Sequence, residues 1–112
     1  GVVTPLFAAE KSEKALPLTG MWVHEDGATY AIRQDGDEVW WLGKSADDGK
    51  GWTHVFHGKI KGDELTGQWA DLPPAANRAS GTITLELVKE GREIVKISGK
   101  GVNGSIQRDK TK

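Results

Sequence analysis

The sequence predicts an all-β protein, an antiparallel up-and-down meander of about eight strands closed into a small barrel. Three observations carry this. Short runs rich in β-branched and aromatic residues recur at the roughly 8–12-residue spacing of sandwiches and barrels. Glycine, at 15 of 112 residues, and Gly/Asp pairs punctuate those runs. No segment carries the helical period, so nothing competes with strands. Nearly every connection is short enough for a hairpin, which favours chain-order neighbours over a Greek key. Closure then removes the unpaired edges of an open meander.

The runs begin at Met21 to His24, ended by Asp26-Gly27. Thr29 to Gln34 follows, with Tyr30, Ile32 and Gln34 on one face, and Asp35-Gly36 supplies a two-residue hairpin signal. Glu38 to Gly43 carries Val39, Trp40, Trp41 and Leu42, and a polar loop runs from Ser45 to Gly51. In Trp52 to Lys61, one face takes Trp52, His54, Phe56 and Gly58, and the other takes Thr53, Val55 and His57. Gly62-Asp63 turns the chain into Glu64 to Trp69, where Leu65, Gly67 and Trp69 alternate with Thr66 and Gln68. A longer loop, Asp71 to Ser80, precedes the cleanest alternation, Gly81 to Val88. Glu90-Gly91, the run Arg92 to Ser98, a Gly-rich stretch and a short run Ser105 to Arg108 complete the set. The barrel domain is therefore expected over 18–108, with a flexible segment over 1–17 and a charged tail over 109–112.

Composition narrows the function. Fifteen basic and 16 acidic residues give a net charge of −1, which builds no basic stripe for nucleic acid. No apolar run reaches the ~18 residues of a membrane helix. With no Cys, disulfides and thiolate metal sites are excluded. Gly1 reads as an expression scar, since the one Met is Met21. The apolar stretch Val2 to Ala9, before the charged run Glu10 to Lys14, reads as a signal-peptide remnant and so as a secreted or periplasmic protein. A disordered tail or an added edge strand are the alternatives.

Leu18-Thr19-Gly20-Met21-Trp22 at the first strand, with Arg108 at the end of the last, resembles the calycin group, the lipocalins and avidins. The resemblance implies a structural role for Gly20, Trp22 and Arg108. In such barrels the Trp plugs the closed end and the cation lies over its ring, a favourable stacking for a guanidinium. The biotin-contacting pattern of avidins has no counterpart on these strands. Ser45-x-Asp47-x-Gly49-x-x-Trp52 resembles the Asp-box of sialidases, a structural hairpin in which Ser and Asp bond backbone groups, Gly takes the left-handed position and Trp packs beneath. One box in 112 residues does not make a propeller, so no carbohydrate activity follows. The stretch from Tyr30 to Asp71 is also similar to uncharacterised bacterial β-domains.

Catalytic constellations are scarce. His54 and His57 fall on opposite faces of one strand, a poor metal pair even with His24 nearby. No Ser sits in a nucleophile elbow, and the turn carboxylates are explained by turn chemistry. No metal or cofactor is implied, and an enzyme is the weaker expectation. The excess is aromatic: Trp22, Trp40, Trp41, Trp52 and Trp69. Trp22 and Trp52 read as structural. Trp40 and Trp41 are adjacent, so one faces out. With Trp41 inward, Tyr30, His54 and Trp69 line the barrel mouth with it, and Arg33, Gln34 and Asp71 sit nearby. That mixture suits a small, partly apolar ligand. The alternative is a structural or interaction domain, using the outward Trp for a homo-oligomer or carbohydrate contact.

Overall fold

The computed structural model describes residues 17–111. Eight strands follow chain order around a closed barrel, each antiparallel to both neighbours. They are β1 (Gly20–His24), β2 (Thr29–Asp35), β3 (Glu38–Lys44), β4 (Thr53–Lys61), β5 (Glu64–Asp71), β6 (Ser80–Val88), β7 (Glu93–Gly99) and β8 (Ser105–Arg108). The barrel closes where β1 meets β8, with Trp22 opposite Arg108, Val23 opposite Gln107 and His24 opposite Ile106. The readings made for residues 1–16, the scar and the signal-peptide remnant, lie outside the described residues.

Where strand limits differ from the sequence pattern, pairing explains it. β5 runs past Trp69 because Ala70 still pairs with Ser80 and Asp71 with His54. Asp35 pairs with Glu38, so the two loop residues are Gly36 and Asp37, one position beyond the Asp-Gly signal. Trp52 leaves the β4 ladder because its N–H goes to the Ser45 hydroxyl. In β7, Ser98 pairs with Thr84 and Lys96 with Leu85, so Ile97 is the extra residue of a bulge and points to solvent.

Period-2 alternation puts one face of every strand inside. Trp22, Ile32, Val39, Phe56, Leu65, Leu85, Ile94 and Ile106 are buried together and fill most of the barrel. Leu18, ahead of β1, caps one end. Its carbonyl accepts the Trp22 indole N–H at 2.8 Å, and its own N–H donates to Gln34 Oε1 at 2.8 Å. Arg108 seals this end, its Cζ 4.8 Å from the Trp22 ring centroid. Its Nε donates to the Gly91 carbonyl at 3.1 Å and Nη2 to the Pro17 carbonyl. The opposite end is ringed by the loops after β1, β3, β5 and β7, and there the interior stays open.

Candidate functional site

The chemistry of the open end starts from adjacent Trp40 and Trp41. β3 pairs Trp41 with Ile32 and Trp40 with Arg33. Ile32 is inside, so Trp41 is inside at 3% exposure and Trp40 outside at 42%. Trp41 stacks on Phe56 with centroids 3.9 Å apart, and this pair floors the open end.

His54 lies above that floor. Trp41 Nε1–H donates to His54 Nε2 at 2.8 Å. An accepting Nε2 carries no proton, so the neutral ring holds its hydrogen on Nδ1. The ring stacks on Trp52 at 4.9 Å and 8°, meets Trp69 at 5.4 Å and lies 5.9 Å from Tyr30. Gly43 makes this approach possible. A Cβ there would fall 2.8 Å from His54 Nε2 and 3.0 Å from the Tyr30 ring. Burial pulls the His54 pKa down to about 4, against an opposing pull from Asp71. Burial, then the Asp26 carboxylate, pushes the Tyr30 hydroxyl well above its ordinary value. Both groups are neutral at physiological pH.

Loops build the rim. In the turn after β1, Asp26 Oδ1 accepts the Ala28 N–H at 2.8 Å. His24 Nδ1 accepts the Asp26 N–H at 3.1 Å, and Nε2 donates to the Asn103 carbonyl at 2.5 Å, tying the loops after β1 and β7 together. Trp69 Nε1–H donates to the Lys100 carbonyl at 2.8 Å, and its ring rests against Gly101. Asp71 Oδ2 accepts the Ala79 N–H at 2.9 Å, which ties down the loop after β5. Between these loops lies a cavity of about 360 Å³.

The loop after β3 is self-capped. Ser45 Oγ accepts the Gly51 and Trp52 N–H groups at 3.2 and 3.1 Å and donates to Asp47 Oδ1 at 2.5 Å. Asp47 Oδ1 also accepts the Gly51 N–H at 3.1 Å, and Gly49 has φ +86°. Ser45 and then Gly51 hold the Asp47 carboxyl below its ordinary pKa. The result sets the Trp52 ring over His54 as a wall of the cavity.

Tyr30, His54 and Trp69, anticipated as ligand contacts, are thus brought together around the cavity, with Trp41 one layer below, reaching it through His54. Arg33 does not join them. Its odd position on β2 turns it outward, and this corrects the sequence expectation. Gln34 is inward but serves the sealed end through Leu18. Trp52, read as structural, also lines the cavity, and its i, i+2 relation to His54 was the available signal. His24, Asp26, Asn77 and Asn103 also line it and were not anticipated as contacts, for they come from the end of β1 and from separate loops. Among the described residues no three His, Asp or Glu side chains converge as metal ligands.

Two polar groups at the site are conspicuous. Tyr30 is 2% and His54 6% exposed, yet the Tyr30 hydroxyl and His54 Nδ1–H make no hydrogen bond among the described residues. No wholly buried side-chain N or O there lacks a partner, so both groups retain access to the cavity they line. On the outer wall, a second, shallower groove runs beside Trp40, whose ring stacks on His57 at 4.9 Å. Set against known protein families, curated proteins and solved structures, the chain finds no significant match, and its function is read from this geometry.

Proposed function

We propose that this protein is a calycin-like binding module that holds a small, partly apolar molecule in the open mouth of its barrel. One observation carries the reading: two almost fully buried side chains, Tyr30 and His54, turn a hydroxyl and an Nδ1–H with no partner among the described residues onto an aromatic-walled cavity. Both atoms keep access to solvent through the cavity, so a ligand's polar atoms would take the place of water there and gain direction from two fixed partners. The volume of about 360 Å³ lies at the low end of the range for small-molecule sites. The cation over Trp22 at the sealed end supports the calycin resemblance, and the bonds of Ser45 and Asp47 support reading that hairpin as an Asp-box. Binding without catalysis is favoured because His54, held near 4 with Nε2 already engaged, is poorly suited to proton transfer near neutrality. Action outside the cytoplasm, secreted or periplasmic, rests on the Val2 to Ala9 stretch.

The test is a fragment screen read by the five indole N–H resonances in a two-dimensional NMR spectrum. Ligands at the mouth should move Trp41, Trp52 and Trp69 and leave Trp22 in place. A screen that moves none of those three would overturn the reading. A second reading, an interaction domain, draws on the outward Trp40 beside exposed Leu42 and Val55. A concentration-dependent dimer that Trp40→Ser abolishes, or glycan binding that the same change abolishes, would favour it.

A further inference from the structure

Resting on that reading of the mouth, we infer that its ligand is a small organic cation, an amine or quaternary ammonium that also carries an oxygen acceptor. The charge lining the cavity is one-sided. Asp26 and Asp71 both border it, and among the described residues no Lys or Arg does. Arg78, on the loop after β5, turns its guanidinium onto its own loop, donating to the Ala75 and Asn77 carbonyls. Neither Asp26 nor Asp71 meets a Lys or Arg among the described residues. His24 Nδ1 lies 3.0 Å from Asp26 Oδ1, but with Nε2 donating to the Asn103 carbonyl and Nδ1 accepting the Asp26 N–H the ring carries no charge in this arrangement. An anionic ligand would meet two carboxylates with no Lys or Arg among the described residues to compensate, whereas a cationic one would meet both favourably.

The walls select in the same direction. Tyr30, Trp52 and Trp69 surround the space above His54, and aromatic faces attract a cation within about 6 Å of the ring centroid. Quaternary ammonium groups, weakly hydrated and apolar at the surface, lose least on entering such walls. The two unpartnered groups complete the match. His54 Nδ1–H is a donor only, so it calls for an oxygen or another acceptor on the ligand. Tyr30, un-ionised, can donate or accept and adds no charge of its own.

Choline is the probe, compared with its neutral carbon isostere (dimethylbutanol, carbon in place of nitrogen) and the matching carboxylate, dimethylbutyrate. Each is titrated into the intact protein at low salt, following the Trp52 and Trp69 indole N–H resonances. Choline should saturate these shifts at a concentration at least about fivefold below the neutral isostere, as a cation–π and carboxylate contribution requires. The carboxylate should give no saturable shift. Asp26→Asn with Asp71→Asn keeps the carbonyl oxygens that accept the Ala28 and Ala79 N–H groups, so the fold is retained. This variant should reduce the preference towards unity. Equal saturation by choline and the isostere in the native protein would overturn the cation inference and leave the small-molecule reading standing. Tighter binding of the carboxylate, or no shift from choline where fragments do bind, would overturn it too. Silence of the mouth indoles towards all three probes and the whole fragment set would remove both.

Discussion

Lowering the pH should weaken this fold through His54, and the size of the effect follows from its surroundings. Its ordinary pKa of 6.5 falls to about 4 in the folded protein, because the ring is buried. A proton on Nε2 would also set N–H against the Trp41 N–H that now donates to it at 2.8 Å. The folded state therefore resists a proton that the unfolded state accepts. The contribution to stability is fully present above about pH 6.5, declines as pH falls towards about 4, and changes no further below that. At about 1.4 kcal/mol for each pH unit between the two values, the whole effect is about 3 kcal/mol, of which about 2 kcal/mol has gone by pH 4.5. Urea unfolding, followed by Trp fluorescence at several pH values between 7 and 4.5, measures it. His54→Gln is the reference, since Gln can accept the Trp41 N–H and does not titrate in this range. Carboxylates held low in the folded protein, such as Asp47 and Glu93, contribute equally to both proteins. The native protein should lose about 2 kcal/mol more than the variant across this window. Parallel stability curves would refute the claim that His54 is held neutral by burial on an indole N–H.

Further perturbations test other parts of the structure. Gly43→Ala places a methyl 2.8 Å from His54 Nε2 and 3.0 Å from the Tyr30 ring. It should cost about 1–3 kcal/mol in urea unfolding and shift the Trp41 indole N–H resonance. Ser45→Ala removes the acceptor of the Gly51 and Trp52 N–H groups, and should cost about 1–3 kcal/mol by thermal or urea unfolding. Arg108→Met keeps an apolar stem over Trp22 but loses the bonds to the Gly91 and Pro17 carbonyls, for an expected loss of about 1–2 kcal/mol. Arg33→Met, on the outer wall of β2, should change stability by less than about 0.5 kcal/mol in the same assay.

Local rules sufficed for much of this protein. The meander was legible because strand runs and turn pairs are properties of a few consecutive residues, and hairpins dictate antiparallel neighbours. The shared face of Trp52, His54 and Phe56 was legible too, since alternation is intrinsic to a strand. Alternation, however, fixes only which residues share a face, and not which face is inside. Trp40 and Trp41 satisfy either choice equally well. The decision came from register, which sets Trp41 beside Ile32 and Trp40 beside Arg33, and it carried Arg33 outward at the same stroke. The donor from Trp41 to His54 and the room left by Gly43 depend on that same register. The rim is still less local. His24, Asp26, Asn77 and Asn103 come from the end of β1 and from three loops far apart in the chain, and they meet at one cavity because β8 closes on β1 and brings the loop ends into a ring. Consecutive residues thus dictate the barrel and its hairpins. Which aromatics and which carboxylates face one another across the mouth follows from closure, because only closure sets distances between residues that share no strand.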